Sequence, residues 1–175
     1  MEIALQALKL RWLAGDADMG EDQCAHGLVR LAVGERLLVG PEDEEVTVSA
    51  AGLFLLRTLG SNHLSNDELT GGLKLFPCCG HMVLDGGGEC VIIGCPMGID
   101  VSVITVGDSV TLKRDTRTAV TTRALWREAV LGFAQQIDTF YARSAPRAPS
   151  EDETEAAGWH QFWKEWRLRI DAEGG

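Results

Sequence analysis

Apolar and polar residues alternate along much of the first 122 residues, and this pattern predicts short β-strands. In the opening segment, 3–12, the alternation is rough, so a strand is the main prediction and a short helix is the alternative. Two strands are expected in "HGLVRLAVGERLLVG" (26–40), and "EEVTVSA" (44–50) adds a third. From 73 to 122, runs rich in Val, Ile and Thr are separated by Pro and Gly, and Gly107-Asp108 has the form of a two-residue hairpin loop. We therefore predict sequential antiparallel strands.

Helical spacing of apolar residues replaces this alternation in three segments. Ser49 has the form of an N-cap for a helix over "AAGLFLLRTLG" (50–60), which is apolar on most sides and should be buried. A second helix is predicted over "RALWREAVLGFAQQIDTFYARS" (123–144), where apolar residues follow the helical period. After "APRAP", Ser150 and Glu153 form a capping box for a last helix. One face of this helix, which we interpret as core rather than as a stacking platform for bases or sugars, carries Trp159, Phe162, Trp163, Trp166 and Ile170.

These elements predict a single α+β domain over residues 1–175: an antiparallel β-sheet with an early helix and two C-terminal helices packed on it. The sheet-rich part is expected to cover 1–122, and the helical pair 123–172. A chain of 175 residues, 45% of them hydrophobic, is long enough to bury a core of its own.

The net charge of -10 at pH 7 limits the classes of partner. Binding to nucleic acid requires clustered Lys and Arg, so the charge disfavours a general nucleic-acid binder, and any charged partner is expected to be basic. The chain begins with an acid at Glu2, where a signal peptide carries positive charge, and contains no run of 18 apolar residues. We therefore expect a cytoplasmic protein that does not bind membranes.

Two acidic segments supply the candidate partner-binding residues. The first, "GDADMGEDQ" (15–23), is similar to a calcium loop in composition, but its glycine and closing glutamate are not at the EF-hand offsets. The second lies just before the strand predicted over "VTV". We interpret both as solvated loops that face a basic partner, and the candidate residues are Asp16, Asp18, Glu21, Asp22, Glu42, Asp43, Glu44 and Glu45.

Four of the five cysteines lie in "LFPCCGHMVLDGGGECVIIGCPMGID" (75–100). Because this segment has no C-x-x-C pair, buried thiols that act as small apolar side chains are the main prediction. The alternative is a zinc site in which Cys79 and His81, on one face of an extended segment, are joined by Cys95 or Cys90 and by Cys24 or His26. Catalysis by a Cys79 thiolate with His81 as its base is disfavoured, because residues i and i+2 of a strand lie about 6.5 to 7 Å apart.

Two other polar residues are interpreted as structural. Asp100 precedes an alternating strand and is predicted to cap a turn, with a place in a functional site as the alternative. His63 lies in the polar loop "SNHLSNDELTGG" (61–72), where it is expected to be a surface or packing residue.

Several segments together resemble a group of bacterial proteins. They are "VSAAGLFLLRTL" followed by "NHL", then "PCCGH", "GCPMGID", "VLGFAQQIDTFYARSAPR" and the closing "GWHQFWKEW". The combination, over about residues 24–171, is similar to an uncharacterised family of small cytosolic proteins of the immunity type, linked to polymorphic or contact-delivered toxins. The resemblance implies a small self-folding protein that binds one toxin, and it implies no catalytic residue.

The functional prediction is therefore a non-enzymatic binding protein, an immunity-like inhibitor of a toxin or of another basic protein, which acts without a cofactor as a monomer or homodimer. The alternative is a zinc-binding or thiol-dependent protein that uses Cys79 and His81. A third hypothesis is a structural or assembly partner with no toxin involved.

Overall fold

The computed structural model describes residues 2–65, 67–78 and 82–174. Within these ranges the strands are β1 Ile3–Arg11, β2 His26–Val33, β3 Arg36–Val39, β4 Val46–Thr47, β5 Phe76–Pro77, β6 Met82–Asp85, β7 Cys90–Ile93, β8 Gly98–Ile99, β9 Ser102–Val106, β10 Ser109–Arg114 and β11 Arg117–Thr122. The α-helices are α1 Val48–Arg57, α2 Arg123–Arg143 and α3 Glu153–Glu173, and short 3-10 turns cover Gly15–Ala17 and Glu68–Thr70.

The strands pair antiparallel and are divided among several sheets. The largest sheet has the order β1-β2-β3, with β4 also paired to β2, and β9, β10 and β11 form a three-stranded sheet. Two further sheets are the pairs β5-β8 and β6-β7. The predicted α+β class is confirmed, with an early helix and a C-terminal pair of helices. The alternation of residues located the strands, but it carries no information on which strands share a sheet.

Two local predictions in the sheets are confirmed. The opening segment is a strand, β1, which pairs antiparallel with β2. Gly107-Asp108 joins β9 to β10, in which Val106 and Ser109 lie directly opposite each other. Gly107 has a φ of 59°, as the first central residue of a type II′ turn requires.

The start of α1 differs from the prediction. The helix begins at Val48 with Thr47 in the N-cap position, and no side chain caps it. The Val48 N–H instead donates to the carbonyl oxygen of Ala25 at 2.9 Å. The Ser49 hydroxyl, predicted to be the cap, accepts a hydrogen bond from the Ala25 N–H at 3.2 Å. A contact with the segment that enters β2 therefore replaces the local cap.

The cap of α3 also differs. The Asp152 carboxylate accepts hydrogen bonds from the N–H groups of Thr154 and Glu155, both at 2.9 Å. Ser150 lies two residues before this cap, and its hydroxyl donates to the Glu155 carboxylate at 2.7 Å. Asp152 is the cap because one carboxylate oxygen reaches two helix N–H groups at once.

Helix α1 lies inside the core, with every one of its ten residues buried. Gly52 allows α3 to come close, because a Cβ at this position would lie 2.6 Å from the indole ring of Trp166. Gly158 plays a similar role where α3 crosses β6, because a Cβ there would collide with the backbone of Val83. Since Phe162 and Trp166 are fully buried, the aromatic face of α3 is core, as predicted.

Candidate functional site

The two acidic segments lie at the same end of the largest sheet. Arg11, the last residue of β1, is opposite His26 of β2, and His26 is in turn opposite Thr47 of β4. The Arg11 guanidinium donates to both carboxylate oxygens of Glu45, at 2.7 and 2.8 Å. On the other side, the His26 Nε2 atom lies 3.7 Å from a carboxylate oxygen of Asp22. The fold thus brings together loops that are about twenty residues apart in the sequence.

Several of the predicted partner-binding carboxylates are engaged within the protein. Asp18 has only 4% of its side chain exposed and pairs with Arg147 at 2.7 Å. Asp43 pairs with Arg114 at 2.6 Å, and this guanidinium holds the pKa of Asp43 below its ordinary value. The carboxylate of Asp22 accepts hydrogen bonds from the N–H groups of nearby loop residues. These carboxylates, like Glu45, hold the loops in place.

The other four predicted carboxylates face solvent, and we call them the acidic end: Asp16, Glu21, Glu42 and Glu44. Across the described part of the chain, none of the four is in an ion pair with Lys, Arg or His. The structure therefore divides the eight predicted residues equally between four that bind other groups of the protein and four that face solvent without an ion pair.

Beneath the acidic end lies a buried histidine. His26 is 4% exposed, and its Nε2 atom has no hydrogen-bond partner among the described residues. Burial lowers the pKa of His26 and outweighs the opposing effect of Asp22 and Glu45. A neutral imidazole is therefore favoured here, and it adds no positive charge to this end of the protein.

A second cluster of titratable groups surrounds His63, which is fully buried. Its Nδ1 atom is 3.0 Å from a carboxylate oxygen of Asp67, and its Nε2 atom is 2.8 Å from one of Asp100. The Ser65 hydroxyl donates to the second oxygen of Asp100 at 2.6 Å, and the Leu75 N–H donates to the first at 3.2 Å. Among the described residues, the hydrogen bonds to the Asp100 carboxylate come from His63, Ser65 and Leu75, so it joins three parts of the chain instead of capping a turn.

The pKa values of His63 and Asp100 both favour the ionised form. Burial acts to lower the pKa of His63, but Asp100 and Asp67 outweigh it, so the pKa is raised. Burial likewise opposes the lowering of the Asp100 pKa, yet hydrogen bonds from His63 and Ser65 bring it to about 2. Both ring nitrogens of His63 are occupied by carboxylates, so neither is available to take a proton from a substrate. The cluster fastens the 61–75 loop to β9, where His63 and Val103 exchange backbone hydrogen bonds.

A third cluster joins α1 to α3. Arg57 and Glu165 are both buried and form a two-point ion pair, with N–O distances of 2.7 and 2.8 Å. Arg57 also donates to the carbonyl oxygens of Leu69 and Cys90, and Glu165 accepts from the Cys90 N–H at 2.8 Å. Arg169 shares the Glu165 carboxylate at 2.7 Å. Sequence reasoning missed this pair, because two charges 108 residues apart leave no local pattern.

The four cysteines within the described residues fall into two environments. Cys24 and Cys90 are buried, as the thiol prediction expected, and burial raises the pKa of Cys90 to about 12. Cys78 and Cys95 are half-buried, and their sulfur atoms are 2.8 Å apart. Sequence reasoning had not paired these two residues, which belong to opposite sides of the β5-β8 ladder.

Two of the predicted zinc ligands, Cys24 and Cys95, lie within the described residues. Cys79 and His81 lie outside the described residues. Cys95 lies beside Cys78, and Cys24 lies where the chain enters β2, next to Asp22. No group of three or more His, Cys, Asp or Glu side chains arranged to hold a metal ion occurs in the described ranges. The zinc site stays a prediction.

Comparisons with protein-family models, with curated proteins and with solved structures found no match to this chain. The resemblance to immunity-type proteins therefore stays a prediction. None of the helices in the described ranges has the length and apolar composition that crossing a bilayer requires.

Proposed function

We propose that this protein is a non-enzymatic binding protein that captures a basic protein partner through the acidic end. The observation that carries the proposal is the convergence of the two acidic segments on one end of the largest sheet, where Arg11 is opposite His26 and binds Glu45. Four exposed carboxylates on adjacent loops, in a chain of net charge -10, produce a negative field that accelerates the approach of a basic surface.

The internal ion pairs prepare these loops for binding. Arg147 pairs with Asp18 and lies over the ring of Trp12, 3.8 Å from the ring centroid, so the 12–22 loop is fixed against the α2–α3 linker. Arg114 donates to the Asp43 carboxylate and to the carbonyl oxygen of Leu38, so it fixes the 40–45 loop against the preceding strand β3. Loops that are ordered before binding lose less conformational entropy when a partner docks.

The resemblance to immunity-type proteins suggests a more specific form of this proposal, in which the partner is a basic toxin and binding inhibits it. This form predicts that co-production of the protein protects cells from the partner. The binding proposal itself requires only that the partner is basic.

The test compares two variants of the full chain that carry the same change in charge. In one, the acidic end is neutralised by Asp16→Asn, Glu21→Gln, Glu42→Gln and Glu44→Gln. In the control, four exposed carboxylates elsewhere are neutralised by Glu35→Gln, Asp108→Asn, Glu128→Gln and Asp171→Asn. The partner is recovered from an extract of the source organism with the unchanged protein and purified, and its association rate with each protein is measured at several salt concentrations.

We expect the acidic-end variant to associate roughly tenfold more slowly at low salt and to show a flatter salt dependence, while the control stays close to the unchanged protein. Equal association rates for the two variants would show that the charge of the acidic end does not take part in binding the partner. Recovery of a specific partner that is itself acidic would contradict the proposal as a whole.

A further inference from the structure

The sulfur atoms of Cys78 and Cys95 are 2.8 Å apart, and both residues lie next to the paired strands β5 and β8. Cys78 directly follows β5, and Cys95 lies three residues before β8. These strands pair through Phe76 opposite Ile99 and Pro77 opposite Gly98, and the Cys78 N–H continues the ladder to the carbonyl oxygen of Met97 at 3.3 Å. A disulfide bond is about 2.05 Å long, so the two sulfurs need to approach by less than 1 Å.

The close approach of the β5 and β8 backbones is a feature of the fold. Gly98 has a φ of 128°, and a Cβ at this position would collide with the carbonyl oxygen of Phe76. The glycine therefore lets β8 lie tightly against β5 next to the two sulfurs. Both side chains are half-buried, so a small reagent in solution reaches this pair more easily than it reaches Cys24 or Cys90, which are buried.

We propose that Cys78 and Cys95 are a thiol–disulfide modification site, oxidised by a low-molecular-weight disulfide such as oxidised glutathione. One cysteine, as its thiolate, attacks a sulfur of the small disulfide and releases one small thiolate, which leaves a mixed disulfide on the protein. The second cysteine, after losing its proton, attacks the protein sulfur of that mixed disulfide and releases the other small thiolate. In total, two protein thiols are oxidised to one disulfide, and one small disulfide is reduced to two thiols.

The bond would close the segment 78–95, which contains the β6-β7 hairpin. One face of this hairpin packs on α3 through the buried Val83 and Ile92, and the other face exposes Met82 and Ile93, which lie opposite each other. The disulfide would tether both ends of the hairpin at the β5-β8 ladder. Oxidation therefore stabilises the packed form of the hairpin relative to the unfolded chain.

The test uses the full-length reduced protein, equilibrated with glutathione buffers of increasing oxidised fraction. Intact mass and peptide mapping then report which thiols are lost. We expect a decrease of about 2 Da, a single linked peptide pair containing Cys78 and Cys95, and a rise in melting temperature of roughly 5–10 °C. Reducing agent should reverse all three changes.

Variants with Cys78→Ser or Cys95→Ser should lose the 2 Da decrease, whereas Cys24→Ser and Cys79→Ser should keep it. The Cys79→Ser control matters because Cys79 is the sequence neighbour of Cys78. Mapping of the unchanged protein decides the pairing even if a variant fails to fold.

Three results would overturn the proposal: thiols that stay reduced in the most oxidising buffer, a glutathione adduct that persists without the second step, or a linked pair other than Cys78 with Cys95. A stoichiometric zinc ion that is lost in both Ser variants would also overturn it, because the sulfurs would then be metal ligands. None of these outcomes depends on whether the acidic end binds a partner.

Discussion

Carboxylates occupy two contrasting regions of this protein. In the first region, the buried Glu165 and the half-buried Asp100 each lie against a buried cation and accept a further hydrogen bond from a backbone N–H group. At the acidic end, Asp16, Glu21, Glu42 and Glu44 face water. A buried charge is costly unless it is paired, whereas a solvated charge contributes little to stability and acts at a distance on other molecules. The contrast predicts that the interior carboxylates govern the free energy of unfolding and the exposed ones govern association.

The largest effect is expected for Glu165→Gln. This change leaves the Arg57 guanidinium buried without a full negative partner, and it should lower the free energy of unfolding by about 3–5 kcal/mol. Urea unfolding followed by circular dichroism measures the change. As a control, the double variant Arg57→Met and Glu165→Leu removes both charges and should be more stable than Glu165→Gln. A loss below about 1 kcal/mol for Glu165→Gln would contradict the assignment of this pair to the core.

The next effect is expected at His63. Replacement by Leu leaves Asp67 and Asp100 facing each other without the cation between them, and it should cost about 2–3 kcal/mol of unfolding free energy near pH 6. The measurement is urea unfolding of both proteins from pH 3 to 9. His160→Leu, at an exposed histidine of α3, is the matched control and should change little.

The loss of stability caused by His63→Leu should depend on pH. The pKa of His63 is raised above its ordinary value of about 6.5, so its contribution is complete below that pH and is lost as the pH rises through the folded-state pKa. The pKa of Asp100 is lowered to about 2, so its contribution is present above about pH 4 and is lost as the pH falls towards 2. The stability difference between the two proteins should therefore be largest between about pH 4 and 6.5. A difference that is constant from pH 3 to 9 would contradict an ionised cluster.

A smaller effect is expected for the pair of Arg11 and Glu45, whose side chains are 45% and 37% exposed. Glu45→Gln should lower the free energy of unfolding by less than about 1 kcal/mol, because water and salt screen an exposed pair. The loss should become smaller in 1 M salt, and the loss for Glu165→Gln should persist there. Equal salt sensitivity of the two losses would contradict the distinction between a buried and an exposed ion pair.

The smallest effect on stability is expected for the fourfold neutralisation of the acidic end. Exposed carboxylates without an ion pair contribute little, so the free energy of unfolding should stay within about 0.5 kcal/mol of the unchanged protein. Thermal and urea unfolding of this variant beside its charge-matched control would check the expectation. A large loss would mean that these carboxylates hold the loops, and slower association could then no longer be assigned to charge alone.

Sequence reasoning located the elements well where the local pattern decides the structure. The strands, the II′ turn at Gly107 and the aromatic core face of α3 all follow from periodicity that spans a few residues. The predicted N-caps of α1 and α3 were wrong. At the start of α1 the Val48 N–H donates to the carbonyl oxygen of Ala25, and α3 is capped by Asp152, two residues after the predicted Ser150. A capping pattern states which residues are able to cap, and tertiary contacts select among them.

The candidate site was predicted in composition but not in geometry. The sequence identified eight acidic residues, yet it could not show that Asp18 is buried against Arg147 or that Asp43 pairs with Arg114, because these partners lie 129 and 71 residues away. His63 was expected to be a surface or packing residue, and Asp100 was considered separately as a turn cap. No local pattern indicated that these two side chains bind each other. The pair of Cys78 and Cys95 was missed because strand alternation says nothing about which strands become neighbours.

The sequence by itself determined the α+β class, the positions of the strands and helices, the apolar faces and the negative net charge, since each depends on local periodicity or on a sum over residues. Only the tertiary structure decided which strands share a sheet, which carboxylates are buried beside a cation, and which sulfurs meet. These outcomes depend on contacts between residues far apart in the chain. The free energy of these contacts depends on the desolvation and pairing of their groups, which occur only when the chain folds.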